Sequence, residues 1–324
     1  MSTGDFGEGD GTGEEAVPTP AYHGALADHL QSAEPELWRW FNESSALAQR
    51  QDDVAEVELL KSAYRLDGGM HEVLVGYAAL LATRFGIDEP IVLYQDLGGG
   101  ERNARVFRLN GQVNVVFSGD LLDLLAVDEQ HAVLAHELAH VALWQREDDR
   151  FFVLDHLVHR LASEPLAAEA VIETARRLRL HTEVWADAAS AAMVGSVPTV
   201  VSAIVKINAG LRHVDPEAYL RQAAQVLEMD SSASEAWSHP ELHIRVACIE
   251  ARNRDASADV IAKLVSGPDD LERLDVLGQA RIQQLAGQVV KSGSQVIGAN
   301  DGTDTYLRSY PELAIDDAVL LHDG

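Results

Sequence analysis

The sequence predicts an α+β protein, mostly helical, with one small β-sheet or hairpin. Three observations carry this. Apolar residues recur at three- and four-residue spacing over most of the chain, as in HEVLVGYAALLATRF and PEAYLRQAAQVLE. One region, from Pro90 to Phe117, breaks into short β-prone runs, two of which flank Asn110-Gly111, the strongest short hairpin signal. The chain has 324 residues and 47% hydrophobic content, enough for a packed core without staples.

Taken in order, residues 1–20 (MSTGDFGEGDGTGEEAVPTP) are rich in Gly, acids and Pro without periodicity, and read as a disordered acidic leader. Residues 21–86 form an N-terminal helical region: PELWRWFNESSALAQ, VAEVELLKSAYRL and, beyond the Gly68-Gly69 break, HEVLVGYAALLATRF. At Pro90 the character changes. PIVLYQD reads as a strand, and ARVFRLNGQVNVVF as a hairpin. The intervening Gly98 to Glu101 lacks the Lys-Ser/Thr that follows a phosphate-binding loop, so it is a flexible turn. Ser118 or Asp120 then caps a short helix through DLLDLLA.

The next helix starts near Asp128 and runs to about Arg146, with His131, Leu134, Leu138 and Val141 on one stripe. A long helical pattern opens at Ser163, with Pro165 in its first turn, and continues to Gly195. VPTVVSAIVKINAGLR and PEAYLRQAAQVLE are two further helices, and ELHIRVACIEARN follows the polar loop MDSSASEAWSHP. Residues 256–324 hold an amphipathic helix around Leu271, Leu274, Leu277 and Leu285, then a loose tail. No internal repeat is present.

The charge balance, 25 Lys+Arg against 52 Asp+Glu for a net −27, repels nucleic acid phosphates and anionic membranes and argues against both as partners. The single cysteine, Cys248, rules out an internal disulfide and a cysteine-based zinc site. It reads as buried and inert on an apolar helix. The longest uncharged run, between Asp187 and Lys206, is broken by Gly195 and Pro198 and reads as helix ends and a turn, so no membrane insertion is expected. Without a basic n-region and an apolar h-region at the N-terminus, a soluble, cytoplasmic protein is the expectation.

The chemistry concentrates at His136-Glu137-Leu138-Ala139-His140. On a helix, residues four apart lie about 40° apart around the axis, so both imidazoles share one face and can reach one Zn²⁺. Glu137 is turned about 100° away, unsuited as an equal ligand but well placed to deprotonate a water. A chain with 13 histidines and many acids also produces this pattern by accident, and the motif alone stays a hypothesis.

A catalytic zinc needs a third protein ligand and an open position. The strongest candidate is Glu183 in RLHTEVWADAAS, with Asp187 one turn later to accept the free ring N–H of a ligating histidine. Such a Glu-Asp pair on a helix is usually a solvated face. Here its neighbours Val184, Ala188, Ala191 and Ala192 are apolar and small, and two buried acids there would need partners.

Three segments in order, NARVFRLNGQVNVVFSGDLLDLLAVDEQHAVLAHELAHV, EVWADAAS and SHPELHIR, resemble the catalytic domain of the HtpX and CAAX-prenyl-protease family, metallopeptidase family 48 of the gluzincin type. The resemblance rests on Asn103-Ala104, His136 to His140, Glu183 to Asp187, and His239-Pro240 with Arg245, and spans roughly residues 87–250. It implies a zincin-like catalytic domain over 87–255, with the small sheet packed on the active-site helix. It further implies a zinc endopeptidase with His136, His140 and Glu183 as ligands and Glu137 as general base. The His239 and Arg245 segment would lie near the cleft: either His239 donates to the developing oxyanion, or Arg245 holds the ligand helix through its acids. For His239 a turn role before Pro240 stands beside the catalytic one.

Two departures limit the resemblance. Many family members are integral membrane proteins, whereas the charged residues between His140 and Glu183 cannot cross a bilayer. The family's Pro-Gly-Gly hairpin tip is replaced by Leu109-Asn110-Gly111. The strand through Val113, Val115 and Phe117 is the expected upper rim, on which an extended protein or peptide substrate adds as a strand. The acidic surface favours basic or neutral substrates.

Other residues read as structural. His156 and His159 have no obvious third metal ligand. Ala175 to Arg179 (ARRLR) is a basic patch expected to pair with neighbouring acids. Trp38, Trp40, Trp144 and Trp185 are core or groove wall. An alternative to proteolysis is a zinc-containing binding or regulatory module of the same fold, which would have no use for Glu137.

Overall fold

A computed structural model describes residues 17–45, 49–254, 256, 258–267, 270–271 and 273–296. Most of the acidic leader and the tail beyond 296 lie outside the described residues. The chain divides into two compact units, residues 1–160 with 176–268, and residues 161–175 with 269–324.

The larger unit opens with α1 (Ala21–Ala33), α2 (Pro35–Ser45) and α3 (Gln49–Ser62), then the short strand β1 (Ala63–Arg65) and helix α4 (Glu72–Phe85). Strands β2 (Ile91–Asp96), β3 (Asn103–Leu109) and β4 (Gln112–Ser118) follow, then α5 (Leu121–Leu124) and α6 (Val127–Trp144). Helices α7 (Arg146–Ala162), α8 (Glu169–Val194), α9 (Val197–Ala209), α10 (Pro216–Met229), α11 (Leu242–Asn253) and α12 (Ala258–Val265) complete it, with α8 counted here from Arg176 and α7 to Arg160.

The four strands form one mixed sheet in the order β1-β2-β4-β3. Asn110 (φ 51) and Gly111 (φ 68) both take the left-handed conformation that a tight two-residue hairpin turn requires, which sets Leu109 opposite Gln112. β4 also pairs in parallel with β2, Ile91 opposite Val113, and therefore has neighbours on both sides. Val113, Val115 and Phe117 are fully buried. The expected rim is thus corrected: β4 is a central strand with no free edge, and β3 is the edge. The run VNVVF has the near-continuous apolar character of a strand covered on both faces, whereas NARVFRL alternates.

Other expectations are revised locally. The helix expected over VAEVELLKSAYRL stops at Ser62, because Ala63 to Arg65 pair antiparallel with Asp96 to Tyr94 of β2. Asp120 precedes α5 without capping it; its carboxylate takes two hydrogen bonds from Arg102, a stronger bond than a cap. Pro165 sits in a pair of tight turns, with Glu164 N bonded to Leu161 O and Ala167 N to Glu164 O, and α8 begins only at Glu169. Between α6 and the helical body of α7, Glu147, Asp148 and Asp149 take left-handed conformations (φ 52, 56 and 60) that reverse the chain. Phe152 and His156 of α7 thereby pack on Trp144 at the end of α6.

Helix α6 carries the core of the unit. It packs along β3 and β4, with α4 and α9 against its flanks, and Leu134, Leu138 and Val141 are fully buried. One buried ion pair joins α9 to its start: Lys206 Nζ donates to Glu129 Oε2 at 2.7 Å and Ser202 Oγ to Glu129 Oε1 at 2.7 Å. Glu129 Oε2 also accepts from Ala126 N at 2.8 Å, bonding the helix's first turn. Burial opposes ionisation of Glu129, but the bonds from Lys206 and Ser202 hold its carboxyl below the usual range. Lys206→Met should lower stability by about 2–3 kcal/mol, because the carboxylate keeps only neutral donors. An unchanged urea midpoint would refute this account of the pair.

At the N-terminal end, Arg146 donates to Thr19 Oγ1 and Val17 O and lies over the ring of Trp185, whose indole donates to Pro18 O at 2.9 Å. Residues 17–19 are thus fastened to α8. In the smaller unit, helix α13 (Val276–Val296) starts later than its leucine pattern predicts. Asp275 Oδ1 accepts from Gly278 N at 2.8 Å and marks the boundary, leaving Leu271 and Leu274 ahead of the helix. Among the described residues no helix is long and apolar enough to cross a membrane.

Candidate metal centre

Two helices build the centre. On α6, His136 and His140 lie one turn apart with their Nε2 atoms 3.3 Å from each other. From α8, Glu183 brings Oε2 to 3.4 Å from His136 Nε2 and Oε1 to 3.8 Å from His140 Nε2. One donor atom from each of the three side chains lies within 4.8 Å of the others. Among the described residues, this is the one group of three His, Cys, Asp or Glu side chains so arranged.

A turn beyond Glu183, Asp187 Oδ1 lies 3.0 Å from His136 Nδ1. A proton held on Nδ1 by this contact leaves the Nε2 lone pair for a ligand. Asp187 is fully buried and is held in turn by Arg245 of α11, whose Nε and Nη2 donate to its two oxygens at 2.7 Å each. Of the two roles left open for the late segment, Arg245 therefore holds the ligand helix. His239 sits at the mouth, half-exposed, with Nε2 3.4 Å from Glu183 Oε2 and Nδ1 3.1 Å from Ser238 Oγ.

Burial governs the electrostatics. It penalises the charge on Glu183, but the rings of His136 and His140 beside it hold the carboxyl well below its usual range. Burial also opposes a charge on His136, yet Asp187 and Glu183 outweigh it and raise the ring to about 10. His140, buried without such a hydrogen bond, falls to about 4. Burial pushes Glu137 up to about 7, with His136 opposing and Glu183 adding to the rise. A field that favours a proton on His136 also favours a metal cation.

The donor set fits a zinc ion on two counts. Two imidazole nitrogens and a carboxylate are its usual ligands in a hydrolytic site. Glu183 Oε2 is buried and has no hydrogen-bond partner among the described residues, a costly state for a carboxylate oxygen that a cation would relieve.

The centre lines a cleft of about 500 Å³. Asn103, Ala104, Arg105 and Val106 of the edge strand β3 form one side. On the N-terminal side of His136, Ala132 and Val133 join Val200, Ala203, Ile204 and Ile207 of α9 in an apolar wall. On the C-terminal side of His140 stand Trp144, Asp155, His159 and Arg179.

Several of these positions escaped the sequence reading. Arg179 had a usable signal, since it stands four residues before Glu183 on the same helix face. Within ARRLR, Arg176 Nη1 donates to the carbonyls of Ser234 and Ala236, and Arg179 faces the cleft. His159 is bound to Asp155, with Nδ1 3.2 Å from Oδ1, and belongs to no second metal-binding group among the described residues. Trp144 is groove wall and Trp185 core, while Trp40 is exposed at 62% and belongs to neither. Cys248 is buried in a cluster with Leu180, Val184 and Ile244, and burial pushes its thiol up to about 12.

The chain matches no protein-family model, no curated protein and no solved structure.

Proposed function

We propose that the protein is a zinc-dependent endopeptidase with a zincin-like catalytic unit, as the resemblance to the HtpX and CAAX-prenyl-protease family implies. The observation that carries the reading is a His136, His140 and Glu183 cluster, oriented by Asp187, with a buried Glu137 beside it in an open cleft. A site that only stored or sensed metal would gain nothing from Glu137.

Zinc bound by these three residues would polarise a scissile carbonyl and acidify a water. Glu137 takes the proton from the attacking water and passes it to the leaving amine, a task suited to a carboxyl pushed up to about 7. Asp187, fixed by Arg245, keeps the ring of His136 oriented. His239, at the mouth, donates to the oxygen that gains negative charge. The substrate lies extended along β3, whose outer edge has no strand partner among the described residues and whose Asn103 to Val106 border the cleft.

Metal analysis of the purified protein tests the reading. About one zinc per molecule is expected for a three-ligand site, falling to a small fraction in Glu183→Ala. Full occupancy in Glu183→Ala would remove Glu183 from the ligand set. A zinc-loaded protein that cleaves neither denatured casein nor a peptide library would refute the peptidase reading.

A further inference from the structure

The cleft carries charge that the proposed hydrolysis does not use. Its carboxylates are accounted for without Arg179: Asp187 is held by Arg245, Asp155 by His159, and Glu183 belongs to the proposed metal centre. Glu137, the fourth, is the proposed base for the water. The cations are not balanced in the same way. Arg179 lines the cleft one helical turn before Glu183, and no hydrogen bond or ion pair engages it among the described residues. Arg105 borders the cleft from the edge strand, exposed and equally without such a bond.

Arg179 shares its pocket with four carboxylates and bonds none of them among the described residues. Arg102, Arg108, Arg150, Arg245 and Arg254 all pair. Asp155 on the same wall is occupied by His159 at 3.2 Å. A guanidinium kept beside a reaction centre, with its forked donors unspent, matches a carboxylate in shape and charge.

We propose that Arg179 is a specificity-determining residue that receives a substrate carboxylate, so that the enzyme cleaves acidic peptides. The inference rests on the peptidase reading. It reverses the preference for basic or neutral substrates that net charge alone suggests, because the charges lining the cleft act at shorter range than the surface. The opposite, apolar wall of Ala132, Val133, Val200, Ala203 and Ile204 takes an uncharged side chain on the other side of the scissile bond.

Two sources supply the same carboxylate, an Asp or Glu side chain and the free C-terminus of a peptide. Cleavage-site profiling of a mixed peptide library by mass spectrometry, run as free acids and as C-terminal amides, separates them. With the zinc-loaded wild type, Asp and Glu should be enriched about tenfold at one position near the cut, the size of one charge-assisted hydrogen-bonded pair. If the C-terminus is the source, cuts should instead fall at a fixed distance from it and vanish on amidation. Arg179→Gln should erase whichever preference is seen, and Arg179→Glu should shift it to Lys and Arg. Cleavage without acid preference in either form overturns the role of Arg179 and leaves the peptidase reading intact. Absence of any cleavage overturns both. A preference that survives in zinc-loaded Arg179→Gln also overturns it.

Discussion

Glu137→Gln should reduce kcat by about 10²–10⁴-fold while zinc stays bound at about one per molecule, since a general base contributes on this scale. The substitution keeps the side chain's size. It also introduces no desolvation problem, because a buried position that already pushes the carboxyl up to about 7 accepts a neutral amide readily. What disappears is the acceptor for the water's proton. The three ligands and the bond from Asp187 to His136 are untouched, so metal content and folding should not change. Single-turnover hydrolysis with zinc determined on the same sample makes the check. Activity within about tenfold of wild type would remove Glu137 from the mechanism.

Arg245→Met should destabilise the protein by about 3–5 kcal/mol, the cost of stranding a buried carboxylate. Asp187 is fully buried, and the two 2.7 Å bonds from Arg245 are its main compensation. Burial alone would raise the Asp187 carboxyl; the charge of Arg245 and the bonds from Arg245 and His136 hold it below the usual range instead. Removing the guanidinium leaves His136 as the remaining partner among the described residues. The double variant Asp187→Asn/Arg245→Met should recover part of the loss, because a neutral amide is cheaper to bury than an unpaired charge. Chemical denaturation of the metal-free protein measures both. Equal losses in the single and double variants would show that Arg245 acts through packing alone.

The elements that bear the centre were legible because their signals are local. Four-residue spacing put His136 and His140 on one face, and the same spacing linked Glu183 to Asp187. Asn110-Gly111 announced its hairpin through a turn geometry that few residues tolerate. Even the small, apolar surroundings of Glu183 and Asp187 carried information, since two acids among Val184, Ala188 and Ala191 had to find partners.

Elements whose form depends on distant segments were not legible. Ala63 to Arg65 read as the end of a helix until β2 supplied a strand to pair with. Asp120 read as a cap until Arg102 took its carboxylate. The apolar wall of α9 reaches the cleft where packing and the Glu129–Lys206 pair, 77 residues apart, bind that helix to α6.

The sequence by itself determined the helical, α+β character, the tight hairpin and the identity of the clustered histidines and acids, all consequences of spacing within single elements. Tertiary structure decided that β3 and not β4 is a free edge, that Arg245 holds α8 through Asp187, and that Arg179 faces the cleft. Those outcomes depend on which partner wins each strand edge and each charge, a competition settled by packing among segments far apart in the sequence.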